Sequence, residues 1–159
     1  MTFMEKYDRK RYMSKKARKA KVVFTNGCFD IIHPGHIEVL EFAKSLGGKL
    51  VVGINSDRAV KLLKGQGRPI NSESARKKVL ESLRFVDQVV IFDDVGTYDI
   101  VRKIKPDILV KGEEGFTPEQ VRERDQVPPE VEIKLCPHLG DYSTTSLINR
   151  MRAKPEKKG

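Results

Sequence analysis

Short β-branched runs alternate with longer amphipathic ones along nearly all of this chain, and that alternation leaves few folds open. "KVVFT" (21–25), "KLVVGI" (49–54), "DQVVIF" (87–92), "PDILVKG" (106–112) and "VEIKLC" (131–136) read as strands. They are close to continuous apolar runs, as burial on both faces requires. Helical spacing fills the gaps. In 35–48, Ile37, Leu40 and Ala43 or Lys44 recur at the right interval, and Gly47-Gly48 supplies a stop. Further helices are expected over 56–64, 72–85, 98–105, 117–125 and 143–151. Ser72, Thr117 and either Ser143 or Thr144 are placed to cap three of them, and Pro118 suits a first helical position. Strand–helix–strand units cross over right-handed and build a parallel sheet. The expected fold class is α/β: a Rossmann-like, doubly wound, mostly parallel five-stranded sheet with helices on both faces.

The 159 residues suffice for one such domain, and no repeat or linker interrupts 22–149. The expected organisation is a basic N-terminal extension (1–20), the domain (21–150) and a basic C-terminal tail (151–159). The net charge of +9 is unevenly spread. Residues 1–21 hold nine Lys/Arg against two acids and residues 150–159 five against one, which leaves the body at −2. Such a body is not a basic groove for nucleic acid. The ends are expected to be solvated, with nucleic acid or an anionic surface as the competing partner. No apolar run approaches the roughly 18 residues of a membrane span, and no apolar signal region follows the N-terminus. Cys28 and Cys136 are far apart and form no CxxC pair. A reduced cytoplasmic setting with inert, at least partly buried thiols is expected.

On such sheets ligands bind beyond the carboxyl ends of the strands. The unusual chemistry of this chain falls in those loops. "TNGCFDIIHPGH" (25–36) runs from the first strand into the first helix and carries two of the three histidines. Unpaired backbone N–H groups and the helix dipole make such a junction an anion site. His33 and His36 can add imidazole donors, and Gly35 between them permits close backbone approach. Two ligands three apart with no nearby third make a weak zinc site. "STTS" (143–146) opens the last helix with hydroxyls and free N–H groups, an ordinary cap that also suits phosphate oxygens. "LKGQGRPI" (63–70) sets glycines around Lys64 and Arg68, which describes a mobile basic loop able to close over phosphates. Neither GxxxxGK[ST] nor GxGxxG follows the first strand, which argues against a P-loop kinase and ordinary dinucleotide binding.

Taken in order, "TNGCFDIIHPGH", "INSD", "LKGQGRPIN", "PDILVKG" and "STTSLI" resemble the HxGH nucleotidylyltransferase superfamily, over residues 21–150. Within it the chain looks most like the adenylyltransferase domain of the bifunctional ADP-heptose synthases of lipopolysaccharide biosynthesis. Glycerol-3-phosphate cytidylyltransferase is a more distant likeness. The resemblance implies that a sugar phosphate attacks the α-phosphorus of ATP, with Mg²⁺, releasing pyrophosphate. It implies that His33 and His36 hold the triphosphate and stabilise the transition state, that Lys64 is the loop lysine, and that Cys28 and Phe29 line the nucleotide site with their backbone. It gives Ser143, Thr144 and Thr145 the phosphate-binding role, and Lys111 and Gly112 the loop beside the base. Asp30 is expected to orient a histidine or the substrate. A homodimer is implied too. Because no sugar-kinase domain accompanies the motifs, a stand-alone transferase is expected. Departures at His138, Gly140 and Asp141 concern the nucleotide pocket, and Glu113 and Glu114 stand where the heptose relatives tend to have a Gly-Asp pair. Two rivals follow: a CTP-dependent enzyme acting on an alditol phosphate, and a non-catalytic nucleotide-binding protein with basic tails.

Overall fold

The computed structural model describes residues 20–112, 115–137 and 142–153. Most of both basic ends, and the departures at 113–114, 138 and 140–141, lie outside these residues. Five strands form one sheet: β1 (Val22–Gly27), β2 (Lys49–Asn55), β3 (Gln88–Phe92), β4 (Ile108–Lys111) and β5 (Glu132–Leu135). Among the described residues six helices connect and cover them: α1 (Pro34–Ser45), α2 (Asp57–Lys64), α3 (Glu73–Glu81), α4 (Tyr98–Ile104), α5 (Pro118–Asp125) and α6 (Thr144–Arg152).

The strand order is β3-β2-β1-β4-β5 and all four pairings are parallel. The chain builds outward from β1 through β2 to β3, then returns to place β4 on the other side of β1. That reversal opens a crevice beyond the carboxyl ends of β1 and β4, the usual ligand position in such sheets. Successive strand residues face opposite sides. Val23, Leu50, Val52, Ile108 and Val110 pack with Leu40 and Ala43 of α1 and Leu80 of α3. Their neighbours Phe24, Val51 and Leu109 pack on the other face with Ile100 and Val101 of α4 and Val121 of α5.

The expected caps form. Ser72 and Ser143 accept from the N–H groups of Ala75 and Ser146. Thr117 and Gln120 close a reciprocal capping box ahead of Pro118. The helix expected over 72–85 is shorter, because i→i+3 backbone bonds at Ser82, Leu83 and Val86 turn the chain down into β3. Among the described residues, no helix is long and apolar enough to cross a membrane.

Candidate nucleotide site

The first strand ends beside the sheet's switch point, and the turn after it is held from several sides. Arg76 of α3 is fully buried. Its guanidinium donates to the Cys28 carbonyl at 2.7 Å, to the Asn71 carbonyl at 3.1 Å and to Asp57 at 2.8 Å. Phe29 takes a left-handed backbone, with φ of 47°. Asp30 is buried and accepts from Arg68 Nε at 2.9 Å and from the backbone N–H groups of Ile70 and Asn71, each at 2.8 Å. Both Asp30 oxygens thus bond the 68–71 loop, and Arg68 ties that loop to the first motif.

His33 then caps α1 with extended backbone, and Pro34 begins the helix. The imidazoles of His33 and His36 stack with centroids 3.7 Å apart and an interplanar angle of 21°. Gly35 makes room for this pair, since a Cβ there would sit 3.3 Å from the His33 ring. Burial lowers the basicity of His33. Burial, then the neighbouring His33, push His36 down to about 4 against a weaker opposing bond from the Ile31 backbone. Both imidazoles are therefore neutral at pH 7. The Nδ1 atoms of both are buried and lack a hydrogen-bond partner, the only such side-chain atoms among the described residues. An unmet buried polar atom costs about 1–3 kcal/mol. The two stand side by side at a helix N-terminus, where unpaired backbone N–H groups suit an anion.

One cavity of about 310 Å³ gathers most of the expected residues: Cys28, Phe29, His33, Gly35, His36, Lys64, Gly112, Ser143, Thr144 and Thr145, with Arg68. Two further members, Val39 and Tyr142, are not marked by any motif. Val39 was legible only as one helical turn beyond Gly35. Tyr142 adjoins the STT hydroxyls, but a lone tyrosine there carries no signal of its own. The Thr144 hydroxyl donates to the Ile31 carbonyl at 3.4 Å and ties the start of α6 to the first motif. Cys28 is half-buried. Burial raises its thiol pKa, and nearby Lys64, Arg76 and Arg68 offset this only in part, so it stays protonated.

Lys111 is not among the residues that line this cavity. It is buried and points to the opposite face of the sheet, where its ammonium meets Asn26 at 2.9 Å, Asp125 at 3.0 Å and Thr97 at 3.4 Å. Gly112, one residue on, lines the cavity, and a Cβ there would strike Val39 Cγ2 at 2.5 Å. A larger cavity of about 470 Å³ lies at the amino ends of β4 and β5, against Pro106, Asp107 and Pro128. None of the residues lining it carries an unpartnered buried side-chain atom.

A parallel sheet with a histidine pair and a hydroxyl-rich helix start at its switch point defines a nucleotide-handling class. Residues 24–150 match the cytidylyltransferase-like family model, and the chain belongs to that family, a class of nucleotidyltransferases. Particular relatives narrow the likeness. The bifunctional protein HldE of Campylobacter concisus is 49% identical over 140 residues, which is 88% of this chain and 29% of the relative. That of Wolinella succinogenes is 44% identical over 137 residues, 86% of this chain and 28% of the relative. The chain thus spans less than a third of the length of these relatives. The crystal structure of a lipopolysaccharide core biosynthesis protein from Thermoplasma volcanium superposes with a TM-score of 0.64 at 26% identity, covering 76% of this chain and 99% of that one. A pantoate-β-alanine ligase from Francisella tularensis shares the fold, with a TM-score of 0.56 at 17% identity over 82% of this chain and 64% of that one.

Proposed function

We propose that this chain transfers the nucleotidyl group of a nucleoside triphosphate, ATP, to a phosphorylated sugar of the heptose 1-phosphate kind. The observation that carries the reading is the pair of neutral, stacked imidazoles with unmet Nδ1 atoms, set across one cavity from the Ser143–Thr145 hydroxyls and Lys64. A phosphate oxygen of the sugar attacks the α-phosphorus, the bond from that phosphorus to the bridging oxygen breaks, and pyrophosphate leaves. The attacking oxygen is already ionised, so no base is required, and among the described residues the cavity lining holds no carboxylate that could serve as one. Catalysis is then positioning and charge stabilisation. His33 supplies a ring N–H to the triphosphate, His36 does so by giving up its bond to the Ile31 backbone, Lys64 and Arg68 offset the charge developing on it, and the start of α6 holds a further set of phosphate oxygens.

Mg²⁺ fits this donor set as an ion carried by the nucleotide's own phosphates, since the described lining residues offer it hydroxyls and no acid. When bound it neutralises phosphate charge. The choice of ATP and of a heptose rests on the motif resemblance, as does a homodimer, and a cytoplasmic setting rests on the sparse cysteines. The test is pyrophosphate release with each nucleoside triphosphate and a panel of phosphorylated acceptors in Mg²⁺. ATP with a heptose 1-phosphate is expected to give the fastest turnover. Fastest turnover with CTP and glycerol 3-phosphate overturns the substrate assignment, and no release from any pair overturns the activity.

A further inference from the structure

The cavity used by the proposed reaction has two chemically distinct parts. Lys64 and Arg68 gather near Cys28, close enough to act on its thiol. Tyr142, Val39 and Gly112 lie instead along one face of α1. A Cβ on Gly35 would be 3.7 Å from Tyr142 Cβ, and a Cβ on Gly112 would meet Val39, one helical turn beyond Gly35. A nucleotide has the same division, an anionic tail and a flat, largely apolar base.

Tyr142 is the ring with a face to offer. His33 and His36 are spent on each other at 3.7 Å, and Phe29 is buried and tilted against His36 at 5.0 Å. Tyr142 is 48% exposed, and its ring stands nearly parallel to that of His33, at 20°, with centroids 6.4 Å apart. That is within the roughly 4.5–7 Å range of aromatic pairs, so His33 lies loosely against the tyrosine ring, and the exposed part of the ring is left for a further partner. Such an exposed ring beside a phosphate-holding helix start is suited to base stacking, which tolerates any base and prefers the larger purine surface.

Resting on the nucleotidyl-transfer reading, the geometry points to Tyr142 as the platform on which the base of the nucleoside triphosphate stacks, adding affinity separate from the phosphate clamp. The test compares binding of ATP and of inorganic tripolyphosphate, each with Mg²⁺, by calorimetry on the wild-type chain, Tyr142→Ala and Tyr142→Phe. Tyr142→Ala is expected to weaken ATP binding about 5- to 150-fold, the scale of losing one stacked base, and to leave tripolyphosphate within about twofold. Tyr142→Phe is expected to bind both like the wild type. Equal weakening of ATP and tripolyphosphate by Tyr142→Ala overturns the proposal and makes Tyr142 a support for His33. Unchanged ATP binding overturns it too. Wild-type chain that binds ATP and obeys these expectations, yet releases no pyrophosphate, overturns the transfer reaction and leaves the platform standing.

Discussion

Two polar clusters stand at the carboxyl ends of β1 and β4, on opposite faces of the same strands. On the α4–α5 face, Lys111 donates to Asn26 and Thr97 and pairs with Asp125, which also accepts from Arg124 at 2.7 Å. Burial alone would raise the Asp125 carboxyl, but the Arg124 bond and the Lys111 charge outweigh it and hold it below its ordinary value. On the α1 face, His33 and His36 are also largely buried, yet their Nδ1 atoms meet nothing. The first cluster is complete without a ligand and the second is not. Both stand at the same strand ends, so position does not tell them apart. Their bonding does: among the described residues one network is closed and holds helices to the sheet, and the other leaves two buried ring nitrogens unpartnered beside a cavity.

The sharpest break of this comparison is on the closed side. Asp125→Ala leaves the Lys111 ammonium buried without its carboxylate, and a loss of about 3–5 kcal/mol in urea unfolding is expected. Adding Lys111→Met should recover much of it, with turnover per folded molecule close to wild type. A double variant that folds well but has lost turnover would move Lys111 back into the site. The open side should respond in the opposite currency. His36→Ala is expected to lower kcat at least about a hundredfold, the scale of one oxyanion-type donor, with its thermal midpoint little changed. A smaller effect concerns acid. The His36 imidazole, at about 4 when folded against an ordinary 6.5, takes up protons more readily in the unfolded chain between those values. Its contribution to stability is full above pH 6.5 and is lost as pH falls towards 4. Melting of the wild-type chain over that window should fall more steeply than that of His36→Ala.

Much of this was legible in the residues themselves. The five strands, their order of appearance and the caps at Ser72, Thr117 and Ser143 follow from local pattern. The histidine pair and STT hydroxyls follow from their place at strand-to-helix turns. What the motifs obscured was side-chain direction. Leu109 faces α4 and α5, so by the two-residue period of a strand Lys111 faces them as well, as Asn26 follows Phe24. The motif placed Lys111 at the nucleotide, whereas strand alternation alone sends it to the other face. Asp30 is a different case. Its partners Arg68, Ile70 and Asn71 come from a loop some forty residues away, and no local period announces them. Tyr142 and Arg76 likewise gain their roles only through contacts distant in sequence.

In the proposed reaction His33 and His36 are neutral in the free chain and meet a polyphosphate when nucleotide binds. With three histidines in the chain, their ring protons can be followed individually by NMR through a pH titration, with and without Mg²⁺ and ATP. In the free chain His36 is expected to titrate near pH 4, and a bound triphosphate, as a nearby anion, should raise both midpoints clearly. Midpoints near 6.5 in the free chain that do not move when nucleotide is added would contradict it.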